Sequence, residues 1–169
     1  LFPLITFPYV SRVLLPEGTG KVAFALSIVS YFTIFASFGV ATYGIRAVAQ
    51  VRDDKERLSK TMHELLFINI ISMTIVYAAL AIAILVVPKF AMEKELFWVT
   101  SLFILFTIIG IEWLYKGLEK YQYITIRTII FKIASLFLVF LFVKEKSDYI
   151  IFAFISIFAI VGSDVLNLI

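Results

Sequence analysis

The spacing of charge constrains this chain more than any other feature. Lys21 and Arg46 enclose 24 residues without a charged side chain, and Glu64 and Lys89 enclose another 24. Shorter runs follow: 16 between Glu95 and Glu112, 11 between Lys132 and Lys144, and 15 between Asp148 and Asp164. A bilayer core of about 30 Å needs roughly 20 helical residues to cross. The two long runs are therefore membrane spans with room for tilt. The shorter ones reach span length if one charged residue sits inside each helix or at its end. Composition agrees: 62% of the 169 residues are hydrophobic and 16% are charged. A soluble domain of this size would need more charge on its surface, and a disordered chain would be polar. Unbroken apolar runs also fit a β-barrel poorly, because barrel strands alternate over about 10 residues.

The pattern predicts six helical segments over 1–15, 21–49, 54–87, 96–118, 124–143 and 149–169. The fold class is an all-α polytopic integral membrane protein with short loops. The chain starts at Leu1 inside an apolar stretch and stops at Ile169 without a flanking charge. It reads as a fragment cut within its first span and at the end of its sixth. Residues 1–15 lack the basic start and small-residue cleavage site of a signal peptide. Nine Lys and Arg residues fall on the side holding 46–64 and 116–132, against six on the other. Positive-inside then places 46–64 and 116–127 in the cytoplasm. The net charge of +3 is loop charge of this kind and does not point to nucleic acid.

Little in the sequence suggests covalent chemistry. The one histidine, His63, has no cysteine or second histidine with which to build a transition-metal site. Asp53 reads as a helix cap with Glu56 as its box partner, followed by i,i+4 pairs Asp53/Arg57, Glu56/Lys60 and Lys60/Glu64. The continuation Lys55-Glu56-Arg57 lacks the second acid of a magnesium-diphosphate motif. No glycine-rich phosphate loop and no Ser/His/Asp grouping is present. The sequence thus predicts no catalytic residue, no metal, no cofactor and no enzyme. Small residues Ala23, Ser27, Ser30, Ser37, Ala41 and Gly44 share one face of the second helix. Such a stripe lets membrane helices approach closely or walls a polar cavity.

Ionisable residues inside spans carry the functional weight, because they are costly in lipid and face a cavity or a partner. Lys132 lies about 12 Å into the fifth helix, on one face with Thr125, Thr128 and Ser135. That stripe suggests a water-accessible lumen, with snorkelling or an internal ion pair as the alternative. Arg12, at the outer end of the first helix, is an interfacial anchor or a cation at a cavity rim. Arg46 and Arg127 read as cytoplasmic interfacial anchors. Glu112, four residues before Lys116, reads as a local ion pair. Asp164 reads as interfacial, or as a proton carrier. Pro3 and Pro8 interrupt the hydrogen-bond ladder of the first helix.

Two stretches are familiar together. One is Phe7-Pro-Tyr-Val-Ser-Arg-Val-Leu-Leu-Pro-Glu-Gly-Thr-Gly20, followed by Tyr43-Gly-Ile-Arg46 and Val51-Arg-Asp-Asp-Lys-Glu-Arg-Leu-Ser59. The other is Glu112-Trp-Leu-Tyr-Lys-Gly-Leu-Glu119, continuing to Tyr123-Ile-Thr-Ile-Arg127, and the chain closes with Asn167-Leu-Ile169. In this order they resemble the Wzx-type oligosaccharide flippases of polysaccharide biosynthesis, within the multidrug/oligosaccharidyl-lipid/polysaccharide exporter superfamily. The family often carries Gly where Leu15 stands, and often Asp or Ser with Phe-Gln where Glu112 and Tyr115-Lys116 stand. The resemblance implies a MATE-like fold of two six-helix lobes around a central cavity, this chain being the N-terminal lobe with its first helix truncated. It implies transport of a polyprenyl-diphosphate-linked oligosaccharide across a bacterial or archaeal cytoplasmic membrane. Implied partners are the bilayer, the second lobe of the same chain, and a polysaccharide polymerase or ligase. On that reading Arg12 and Lys132 line the lumen and contact the diphosphate or an acidic glycan, while Arg46 and Arg127 attract it from the cytoplasmic side. The alternatives are a MATE-like small-molecule antiporter and a non-catalytic membrane subunit of an assembly system.

Overall fold

The computed structural model describes residues 2–37 and 39–168. Its elements are α1 (Phe2–Val13), α2 (Leu15–Ser37), α3 (Val40–Val51), α4 (Lys55–Val86), α5 (Pro88–Ala91), α6 (Lys94–Ile109), α7 (Glu112–Gly117), α8 (Tyr121–Phe142) and α9 (Tyr149–Val161). Short 3-10 stretches precede and follow α9, at Lys146–Asp148 and Gly162–Leu168. Among the described residues there is no strand. The ends expected at Leu1 and Ile169, and the side chain of Pro3, lie outside what is described. Five segments are long and apolar enough to cross a membrane: Leu15–Ser37, Lys55–Val86, Lys94–Gly117, Tyr121–Phe142 and Lys146–Asn167. The protein is a multi-pass α-helical membrane protein.

Three of the expected helices are broken. The second, expected over 21–49, starts earlier at Leu15 and is interrupted between Ser37 and Val40. Gly39 there has φ 74, a left-handed backbone that only glycine adopts without cost. The fourth, expected over 96–118, ends at Ile109 and restarts at Glu112. The buried Ile111 takes φ 39 between the two pieces, a strained position for a β-branched residue. The sixth tightens from α-helix to 3-10 at Gly162. Leu15 also has positive φ, at 58, a conformation that glycine adopts without cost. The cap of α4 differs from expectation as well. Asp54, not Asp53, accepts from the N–H groups of Glu56 and Arg57, both at 3.1 Å. Glu56 therefore falls too early to close a capping box. Among the described residues the ion pair at this helix start is Arg57–Asp54, at 3.2 Å, and the three expected i,i+4 pairs do not form.

Many large apolar side chains face outward, as a membrane protein requires. Half of the span windows of α6 and α9 is buried, against 17% for those of α4 and α8. So α6 and α9 form the centre, while α4 and α8 present Leu85, Phe67 and Phe137 outward. One core packs Val29 of α2, Leu80 and Ile84 of α4, and Phe97 and Ile104 of α6. A second joins Val10 of α1, Val139 of α8 and Ile155 of α9. Apolar burial drives little association in lipid, so close packing and hydrogen bonds must hold these helices. Tyr77 and Ser101 hydrogen-bond at 2.9 Å between α4 and α6. The Tyr9 hydroxyl donates to Val143 O at 2.8 Å and ties α1 to the far end of α8.

The small-residue stripe is used in two ways. At Gly44 an added methyl group would lie 2.8 Å from the Trp113 ring, so α3 and α7 meet there. Ser27, Ser30 and Ala41 instead face outward and Ala23 borders a cavity, with the two serine hydroxyls donating to Ala23 O and Leu26 O of their own helix. The face of α2 that packs internally is Val22, Ala25, Val29, Thr33 and Ala36. Close approach was therefore the correct expectation at Gly44 and not along the rest of the stripe.

Candidate functional site

Lys132 is the twelfth of 22 residues in α8. The helix begins at Tyr121, three residues before the expected start. The lysine therefore sits about 16 Å along the axis, near the middle of a core of about 30 Å, deeper than the sequence suggested. Its side chain is exposed and borders an open cavity of about 380 Å³ lined by α1, α2, α8 and α9. Phe7 and Val10 form one wall, Val22 and Leu26 another, and Phe152 and Ser156 a third. Lys132 makes no ion pair or hydrogen bond among the described residues. A mid-span ammonium without a counter-charge is costly in hydrocarbon. In this position it calls for water or an anion. Of the polar residues expected on its face, Ser135 is turned into the protein and fully buried.

Arg127, five residues earlier on the same helix, is placed otherwise. It was expected as an exposed interfacial anchor, and it is 4% exposed. One guanidinium nitrogen donates to Asp164 Oδ1 at 2.8 Å and another to Asn167 Oδ1. The Asn167 amide in turn donates to the carbonyl of Gly110, and the guanidinium lies 5.5 Å from the centre of the Tyr123 ring. Asp164 was also expected at the interface; it is buried, and an added methyl on Gly110 would come within 2.4 Å of its Cβ. The helix break explains the cluster. With α6 interrupted at Gly110–Ile111, the Leu114 N–H turns to Ile111 O at 2.9 Å. The Gly110 carbonyl is left to find another donor, and in an apolar surrounding it must have one. Asn167 supplies that donor, and Arg127 fixes the orientation of its amide. Arg127 Nε has no partner, nor does the Trp113 indole nitrogen beside the same break.

The other two candidates stand apart from both places. Arg12 is exposed in the last turn of α1, and Arg46 is exposed on α3. Neither makes an ion pair among the described residues. The four cations thus do not converge: Lys132 borders the cavity, Arg127 holds a helix break, and Arg12 and Arg46 face outward. Glu112 pairs with Lys116 at 3.1 Å. Asn167 was noted in the sequence only as part of the closing Asn167-Leu-Ile169 stretch, with no role, and Gly110 was not singled out. Their link spans 57 positions, and no local pattern announces it. At the opposite end, Glu93 receives Lys21 Nζ at 2.9 Å and the Tyr149 hydroxyl at 2.9 Å. Lys21, and to a lesser degree Tyr149, hold its carboxyl below the usual carboxylate range against a partial burial that opposes them. Among the described residues no group of acidic or histidine side chains is arranged to hold a metal ion.

The model of a family described as polysaccharide biosynthesis protein matches residues 1–169. A protein from Escherichia coli (strain K12) named "Putative O-antigen transporter" is 30% identical over 156 residues, covering 92% of this chain and 38% of that protein. A protein of the same name from Shigella dysenteriae is 27% identical over 150 residues, covering 89% of this chain and 37% of that protein. The chain therefore spans less than two fifths of the length of these curated relatives. No solved structure matches it significantly.

Proposed function

Because the chain belongs to the polysaccharide biosynthesis protein family, we propose that it forms the first lobe of a two-lobe, MATE-like transporter. The cargo is a polyprenyl-diphosphate-linked oligosaccharide, carried from the cytoplasmic to the periplasmic leaflet of the cytoplasmic membrane. The names of the two relatives support a surface-glycan cargo. The observation that carries the reading is Lys132, a mid-span cation with no counter-charge on the wall of a cavity. A diphosphate and a hydrated glycan cannot cross hydrocarbon. An ammonium held in reach of the path lowers the barrier for the phosphates by charge-assisted hydrogen bonding. Lysine suits this task, since a flexible point charge can bind and release.

In this reading Arg12 is a second cation at the outer mouth, and Arg46 raises the local concentration of the anionic substrate at the inner surface. Arg127 is withdrawn from substrate contact by its ion pair with Asp164 and acts as a structural residue. The task breaks no covalent bond and calls for no catalytic group. A small-molecule cation antiporter would want acids where Lys132 stands.

The test uses the full-length protein reconstituted in vesicles with a lipid-linked oligosaccharide. Lys132→Gln is expected to slow translocation at least tenfold at unchanged protein level, and Lys132→Arg to retain most of it. Normal translocation by Lys132→Gln would overturn the assignment.

A further inference from the structure

The lining of the cavity beside Lys132 points to one part of such a cargo. Among the described lining residues only Thr6, Thr19, Ser156 and Lys132 carry polar side chains; the rest are aliphatic or aromatic. The Thr19 hydroxyl donates to Leu15 O, 2.8 Å away in its own helix. A sugar ring presents several hydroxyl groups, each of which needs a replacement for the water it loses. This cavity offers few. An aliphatic chain needs none, and the walls formed by Phe7, Val22, Leu26, Phe152 and Ile160 suit it. An aliphatic chain alone would leave the ammonium of Lys132 unanswered at mid-span. The ligand that satisfies both features is an amphipathic anion, with a phosphate at Lys132 and a hydrocarbon chain running away from it into the cavity.

We infer that this cavity binds the carrier end of the cargo, the diphosphate at Lys132 and the first isoprene units against α1, α2 and α9, and that the glycan lies outside it. The inference rests on the transporter reading above and deepens it. It separates two recognitions: this lobe reads the lipid carrier, and the sugar sequence is read elsewhere. The charge complementarity is local, since Lys132 has no acid among the described residues to compete with the phosphate.

The chain contains no cysteine, which makes a labelling experiment direct. In the full-length protein freed of any other cysteine, Ala23→Cys places one thiol at an exposed position on the cavity wall. Its reaction with a maleimide is followed in the presence of farnesyl diphosphate, inorganic pyrophosphate, phosphatidylglycerol or the free oligosaccharide. Farnesyl diphosphate is expected to slow labelling at least fivefold, and Lys132→Gln to abolish that protection. Pyrophosphate and free oligosaccharide are expected to give less than twofold protection. Protection by the oligosaccharide and not by farnesyl diphosphate would overturn the inference. So would equal protection by phosphatidylglycerol, which would make the cavity a general site for anionic lipid. Translocation of the lipid-linked oligosaccharide is measured on the same preparation. Translocation without protection sinks the cavity assignment alone, whereas protection without translocation sinks the transporter reading and leaves the carrier-binding cavity standing.

Discussion

Arg127 and Lys132 lie five residues apart on α8, carry the same charge, and live in opposite surroundings. Arg127 is buried with a carboxylate, an amide and an aromatic ring around it. Lys132 is exposed to a cavity with no charged partner among the described residues. The difference teaches how to read an ionisable residue in a membrane helix. Position in a span does not separate a paired cation from one without a counter-charge, but the surroundings of each do. Arginine, with a planar fork of donors, can hold two acceptors at once and brace a helix break. Lysine, with one mobile ammonium, suits a place where a charge is to be met and let go.

The strongest way to break this comparison is to remove each cation and measure stability. Arg127→Met leaves Asp164 buried without its counter-charge, and is expected to cost about 3–5 kcal/mol. Lys132→Met is expected to change stability by less than about 1 kcal/mol, because it leaves no group behind unpaired. Thermal unfolding of the full-length protein in detergent measures both; equal losses would end the distinction. A sharper form combines Arg127→Met with Asp164→Leu. If the arginine acts through its ion pair, the double variant recovers much of the loss, to within about 2 kcal/mol of the parent.

Smaller effects test the frame around the two cations. Gly110→Ala drives a methyl against Asp164 Cβ at 2.4 Å and Phe106 O at 2.7 Å, and is expected to cost about 1–3 kcal/mol. Gly39→Ala meets no neighbour within 4 Å but must hold φ 74, at about 1 kcal/mol. A smaller cost at Gly110 than at Gly39 would show that the cluster yields easily. Leu15→Gly should do the reverse and stabilise by up to about 1 kcal/mol, since Leu15 holds φ 58 at an exposed position.

The network around Glu93 supplies a third kind of charge, solvated and paired. The folded-state pKa of Glu93 is lowered, so its stabilising contribution is fully present above the ordinary glutamate value of 4.5. That contribution is lost as pH falls through the lower folded value. Unfolding midpoints of the parent should therefore drop at acid pH, and Glu93→Gln should flatten that part of the profile. An unchanged acid limb in Glu93→Gln would remove Glu93 from the account.

Much of the fold was legible because lipid imposes long apolar runs, and charges at their ends mark the limits. The breaks were not legible, since the apolar run continues through each of them. Glycine stands at all three, Gly39, Gly110 and Gly162, yet Gly18, Gly20 and Gly44 lie inside unbroken helices. What separates the two sets is tertiary: a carbonyl at a break needs a donor, and Asn167 lies 57 positions from Gly110. Lys132 stood out in the sequence, though its depth was understated because the helix was expected to start at residue 124 and begins at Tyr121. Arg127 was misjudged for the complementary reason. Its distance from the helix start suits an anchor, and its partners Asp164 and Asn167 come 37 and 40 residues later.

The tie between Asn167 and Gly110 also sets an order of events during synthesis. When α6 and α7 first emerge, neither Arg127 nor Asn167 has been made. In lipid the Gly110 carbonyl would then be satisfied only by the Leu114 N–H of a continuous helix. The segment Lys94–Gly117 is therefore expected to enter the bilayer straight and to bend once the last described span has delivered its amide. The break at Gly110 would then be a late step in biogenesis, and a nascent chain that stops short of residue 167 would be expected to carry an unbroken helix over 94–117.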